Sequence, residues 1–201
     1  MQQKHLIYKE KDYSVYCMNA GEFKDPAFFR AVYSSVSQRR REKTDRLCFE
    51  KDKRLSLAAE YLLMEAMDDF ALNYNDTSII EDKNGKPLFE KLPFYFSLSH
   101  SEEKALCIFG KAPAGCDIEF IRRGIEFEKS DYKAIAEEYF SSEENKQIAG
   151  GKDGNEKLDL FFTLWTLKES IFKMTGKWDG KYNAHSIISD GYALTWVALN
   201  D

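Results

Sequence analysis

The chain has 201 residues, 43% of them hydrophobic and 14% aromatic, enough apolar surface for one core or two small ones and too much for a disordered chain. Lys and Arg total 29 against 34 Asp and Glu, a net charge of −5 and the wrong balance for a general nucleic-acid coat. The four cysteines form no C-x-x-C pair and only three histidines accompany them, so neither a disulfide framework nor structural zinc is indicated.

The N-terminal residues alternate charge and aromatics and lack the apolar segment of a signal peptide. The most apolar stretch, 158–167, contains Asp159 and falls short of the roughly 20 apolar residues a membrane helix needs. A soluble cytoplasmic protein is the expectation, with no membrane and no nucleic-acid partner.

In chain order, residues 6–8 and 13–17 read as short strands parted by a charged turn, and 28–37 as a helix. A basic run follows: Arg39, Arg40, Arg41, Lys43 and Arg46. Leu55, Ala59, Leu62, Ala66 and Phe70 then recur every three or four residues, one apolar face of a helix. Residues 84–87, N-G-K-P, signal a turn. In 94–100, Phe94, Phe96 and Leu98 alternate with Tyr95, Ser97 and Ser99, a strand with an apolar face and a hydroxyl face.

Residues 105–109 read as a buried strand and 116–121 as another, with 110–115 as the boundary between two halves, 1–110 and 111–201. An amphipathic segment covers 128–140. Ser141 and Glu144 have capping-box spacing at the start of the next helix. After a glycine-rich loop, a long helix runs from about 156 to 175 with Gly176 in the stop position, and strands close the chain at 186–188 and 192–199. The segments 101–109 and 189–197 echo each other as turn plus strand.

Four places can carry chemistry. In Gly115-Cys116-Asp117-Ile118-Glu119 the two acids share a strand face while Cys116 and Ile118 turn to the core. Paired carboxylates are either solvated, as on many edge strands, or held by a hard cation such as Mg²⁺ or Mn²⁺. On the long helix, Trp165, Glu169 and Lys173 align with Lys168 beside them, and Leu164, Leu167, Ile171 and Met174 form an opposite apolar stripe. The plain alternative there is a surface Glu–Lys pair. The segment Ser97-Leu98-Ser99-His100-Ser101 suits either a phosphate contact or a locally capped strand end. The basic run suits an anion or a solvated helix face. Walker, dinucleotide and nucleophile-elbow motifs are absent.

Taken in order, G-K-P (85–87), S-L-S-H (97–100), G-C-D-I-E (115–119) and W-T-L-K-E-S-I-F-K (165–173) resemble the motif series of the 4′-phosphopantetheinyl transferases, specifically the Sfp type. The resemblance implies an α+β fold of two similar lobes related by a pseudo-twofold, with the active site between them, acting as a monomer. It implies transfer of phosphopantetheine from coenzyme A to a serine of an apo acyl or peptidyl carrier protein, with release of 3′,5′-ADP. By the same resemblance Asp117, Glu119 and Glu169 are metal-binding acids for Mg²⁺ or Mn²⁺. Glu169 is also the general base, and Lys168 and Lys173 contact phosphate. Lys86, Ser99 and His100 contact nucleotide or phosphate, and Arg40, Lys43 and Arg54 surround the 3′-phosphate. A non-catalytic coenzyme A module and a different metal-dependent phosphoryl transferase or phosphodiesterase are the rival readings.

Overall fold

The computed structural model describes residues 4–83, 85–178, 180 and 182–199. A hairpin of β1 (Leu6–Lys9) and β2 (Tyr13–Asn19) opens the chain. After a 3₁₀ turn comes α1 (Pro26–Ser35), started by Asp25, whose carboxylate accepts the Ala27 amide, and by a proline already set at helical φ. The basic run then folds as α2 (Gln38–Asp45), capped by Ser37, and α3 (Glu50–Asp69) follows. The expected turn, described at Gly85 and Lys86, closes a hairpin of β3 (Ile79–Glu81) and β4 (Pro87–Phe89), which the alternation in the sequence was too short to announce. Gly85 there takes φ 80°, and the Lys86 amide donates to Asp82 Oδ1 at 2.9 Å. Asn84 lies outside the described residues.

The strands β5 (Tyr95–Ser101), β6 (Lys104–Gly110) and β7 (Ala114–Phe120) follow. Helices α4 (Asp131–Tyr139) and α5 (Ser142–Ala149) come next, and the expected capping box between Ser141 and Glu144 is present. The long helix α6 (Gly154–Thr175) ends at Gly176 with φ 74°, and β8 (Ala184–Ser189) and β9 (Tyr192–Ala198) complete the fold. No described helix is long and apolar enough to cross a membrane.

The architecture is α+β. Strand, long helix and hairpin occur twice: β2, α3 and β5–β6, then β7, α6 and β8–β9. Each time the hairpin's second strand pairs with the opening strand, giving antiparallel orders β1-β2-β6-β5 and β7-β9-β8. The sequence echo between 101–109 and 189–197 falls on these two hairpins, and their turns each place a residue at φ 51°, Glu102 and Asp190.

Helix α3 covers one face of the first sheet through Leu55, Leu62, Leu63 and Ala66 against Tyr16, Cys107 and Phe109. The opposite face, with Val15, Leu106 and Ile108, packs on Cys116, Ile118, Leu194 and Trp196 of the second sheet. Burying these apolar faces is the main favourable term holding the two sheets together.

Candidate active site

The glycine of G-C-D-I-E is explained by packing. A Cβ on Gly115 would sit 2.0 Å from the Ser170 carbonyl oxygen and 2.9 Å from the Met174 amide nitrogen. Only glycine lets the α6 backbone lie this close to β7. The helix face that meets the sheet is correspondingly small and polar. Thr166 Oγ1 is 2.8 Å from Thr195 Oγ1, and Ser170 Oγ donates to the Thr195 carbonyl at 3.0 Å. The stripe expected from the sequence holds at Ile171 and Met174, which are buried, and is corrected beside them: Thr166 and Ser170 are fully buried, whereas Leu164 and Leu167 are only half-buried. Trp165 is likewise no part of a polar stripe. It lies among Tyr139, Phe140, Phe161 and Trp178, whose rings cover it.

This close approach sets Lys173 against Asp117. The Lys173 ammonium donates to Asp117 Oδ1 at 2.6 Å and to Ser99 Oγ at 3.0 Å, and the Ser99 hydroxyl also lies 2.6 Å from Asp117 Oδ1. Asp117 is 3% exposed, and its second oxygen, Oδ2, is buried without a partner. Burial works against the Lys173 charge, but the Asp117 carboxylate outweighs it and raises its pKa. Glu119 accepts from the Ser101 hydroxyl at 2.9 Å, and burial, together with the neighbouring Asp117 charge, pushes its pKa up to about 7. Burial and Asp117 also raise Glu169. The three acids thus feel one another, although no described cluster of three or more His, Cys, Asp or Glu side chains closes on a single point.

The hydroxyl face of β5 proves to be a seam to β7. Ser97 Oγ accepts the Cys116 amide at 3.2 Å and Ser101 Oγ accepts the Phe120 amide at 3.1 Å. Ser99 therefore reaches the acids, while His100 emerges on the other side of the strand. His100 is exposed, yet the protein mass around it, then the charges of Lys173, Lys43 and Arg40, lower its pKa. Lys86 is half-buried and its pKa is lowered by that burial. It lines a cleft of about 780 Å³ together with Phe94, Ser97, Glu169, Phe172 and Lys173. A second cavity of about 320 Å³ lies beside Glu119, walled by Phe120, Tyr132, Phe162 and Trp165.

Two expected contacts are turned elsewhere. Lys168 binds Glu144 of α5 at 3.1 Å and sits over the Phe140 ring, because its helix position faces α5 rather than β7. Arg40 is buried, with its guanidinium 2.5 Å from Glu60 Oε2, so it faces inward and not the solvent. Lys43 is exposed on α2, and Arg54 is half-buried with no ion pair among the described residues. Glu60, Tyr74 and the packing role of Gly115 escaped the sequence reading. The available signal was Ser56 and Glu60, two polar residues four apart within an apolar helix segment.

Residues 113–190 match the model of the 4′-phosphopantetheinyl transferase superfamily. The chain is 32% identical over 146 residues to 4′-phosphopantetheinyl transferase Sfp of Bacillus subtilis, covering 72% of this chain and 62% of that protein. It is 35% identical over 156 residues to the transferase gsp of Aneurinibacillus migulanus, covering 76% and 61%. The matched stretches thus span less than two thirds of these relatives. A crystal structure of a holo-(acyl-carrier-protein) synthase from Bacillus anthracis in complex with CoA (3′,5′-ADP) is similar at 13% identity and a TM-score of 0.39, over 52% of this chain and 95% of that one.

Proposed function

We propose that this chain, which belongs to the 4′-phosphopantetheinyl transferase superfamily, transfers the 4′-phosphopantetheine group of coenzyme A to a serine of an apo acyl or peptidyl carrier protein and releases 3′,5′-ADP. The observation that carries this reading is the convergence of Asp117, Glu119, Glu169 and Lys173 beside a cleft lined by Lys86. The working unit is two lobes, 1–110 and 111–201, with the active site between them, in a cytoplasmic monomer.

The acids suit a hard divalent cation, Mg²⁺ or Mn²⁺. Asp117 Oδ2 is a buried oxygen lacking a partner, and burial, with the Asp117 charge beside it, pushes the Glu119 carboxyl up to about 7. Asp117, Glu119 and Glu169 would hold the ion, which when bound offsets negative charge on the coenzyme A diphosphate. Lys173, held by the Ser99 hydroxyl and Asp117, would contact the phosphoryl oxygens, and Lys86 and His100 the nucleotide side. Lys43 and Arg54 would face the 3′-phosphate. Glu169 would take the proton of the carrier serine as its oxygen bonds to the β-phosphorus. The bond from that phosphorus to the bridging oxygen breaks, and 3′,5′-ADP leaves with the electron pair.

The test is incubation with coenzyme A, Mg²⁺ and a panel of apo carrier proteins, read by intact mass. Addition of one phosphopantetheine arm to the carrier is the expected result. Coenzyme A binding without transfer to any carrier would favour a non-catalytic module. Coenzyme A cleavage without a carrier would favour a phosphodiesterase.

A further inference from the structure

Helix α2, Q-R-R-R-E-K-T-D, has no apolar face to bury, and its buried residues are Arg40 and Thr44. It therefore cannot be docked by the hydrophobic effect as α3 is. It is held by polar contacts to α3 and to Tyr74. Arg40 Nη2 is 2.5 Å from Glu60 Oε2, and Arg40 Nη1 donates to Ser56 Oγ at 3.3 Å. Thr44 Oγ1 lies 3.2 Å from the same Ser56 hydroxyl. The Tyr74 hydroxyl donates to Glu60 Oε1 and accepts the amide of Ser37, the N-cap of α2, at 3.3 Å. Glu60 is 1% exposed.

Burying such an ion pair costs desolvation that its attraction barely offsets, so net stability is a weak reason for it. What a buried pair does supply is register, because an arginine fork and a carboxylate meet in few geometries. Register matters here: α2 buries Arg40 and turns Lys43 to solvent, so a rotation of the helix would redirect the lysine.

We propose that Glu60 and Tyr74 are positioning residues for the anion-binding patch, fixing α2 on α3 so that Lys43 is held in one orientation on the solvent side of α2. This rests on the coenzyme A reading above, in which that patch takes the 3′-phosphate. Neither residue touches the ligand. Each acts through Arg40 and Ser37 on the helix that does.

Binding of coenzyme A and of dephospho-coenzyme A, measured by titration calorimetry on the full chain, provides the test. The unmodified protein should prefer coenzyme A by about tenfold, the size expected of charge-assisted phosphate contacts. Tyr74→Phe removes one hydroxyl and should bring the preference to about fourfold, and Glu60→Gln to about twofold, while the affinity for dephospho-coenzyme A stays within about twofold. If Glu60→Gln does not fold, Tyr74→Phe decides. An unchanged preference in folded Tyr74→Phe would overturn the proposal. So would equal weakening for both ligands, the mark of a merely structural role. No preference in the unmodified protein would remove the 3′-phosphate reading itself, and the positioning role with it.

Discussion

The two strand–helix–hairpin units of this chain share a topology and differ in how the helix meets its sheet. Helix α3 packs through Leu55, Leu62 and Leu63, bulky side chains that hold it away from the strands. Helix α6 comes down onto β7 where Ser170 lies over Gly115, nearly backbone to backbone, and Thr166 and Ser170 bond to Thr195 of β9. The first arrangement makes a large core. The second makes less of one, but it brings Lys173 within 2.6 Å of Asp117. Charge divides in the same way. The candidate cations Arg40, Lys43, Arg54 and Lys86 belong to the first half, whereas the acids Asp117, Glu119 and Glu169 belong to the second, together with Lys168 and Lys173. One topology used twice therefore serves a scaffold once and a candidate site once, and the spacing between helix and strand makes the difference.

That division has measurable consequences. Asp117→Asn should lower transfer by more than about 100-fold with the fold intact, beyond what loss of a ligand's supporting contacts costs. Lys43→Ala should act mainly on the KM for coenzyme A, by about fivefold. Steady-state rates at saturating Mg²⁺ check both, and a kcat effect at Lys43 equal to that at Asp117 would erase the distinction.

Stability should separate the halves by a different pair. Gly115→Ala forces α6 off β7 and should cost about 3 kcal/mol or more, with activity lost at the same time. Leu62→Ala opens a cavity in the first core and should cost about 2–5 kcal/mol while the remaining folded protein keeps its turnover number. Urea unfolding with parallel assays distinguishes these outcomes.

The first half should also carry a pH dependence. Buried His5 lies 2.6 Å from Glu65 Oε2 and 3.2 Å from Glu22 Oε1. Burial opposes its charge, yet the two carboxylates outweigh burial and raise its pKa above 6.5. Its contribution is complete below the unfolded-state pKa and is lost as pH rises through the higher folded-state value. Stability should therefore decline above about pH 6.5, by about 1–2 kcal/mol for such a charged hydrogen bond, and His5→Gln should flatten the decline. An equally steep slope in that variant would assign it to other groups. The smallest effect belongs to the ion pair joining the two hairpin turns, Lys104 to Asp190 at 3.0 Å. Asp190 is exposed, so Lys104→Ala should change the unfolding free energy by no more than about 1 kcal/mol.

Much of this was legible in one dimension. The 3.6-residue period of Leu55 to Ala66, the hydroxyl alternation of Ser97 to Ser101, the Ser141–Glu144 box and the Gly176 stop are local properties, and the elements formed where they fall. The acids were legible too, because a D-x-E strand puts both carboxylates on one face whatever surrounds it. The destinations of long side chains were not. Lys168 and Lys173 are both helical lysines near Glu169, yet one reaches Glu144 and the other Asp117. Arg40 and Lys43 are three residues apart in one basic run, yet one is buried and the other exposed.

The sequence by itself determined most of the helices and strands, the short β3–β4 hairpin apart, since period, capping and turn chemistry act over a few residues. The tertiary structure alone decided which charges meet. Such pairing depends on distances between elements far apart in the chain, and at Gly115 and at Glu60 those distances are set by what a side chain excludes or holds.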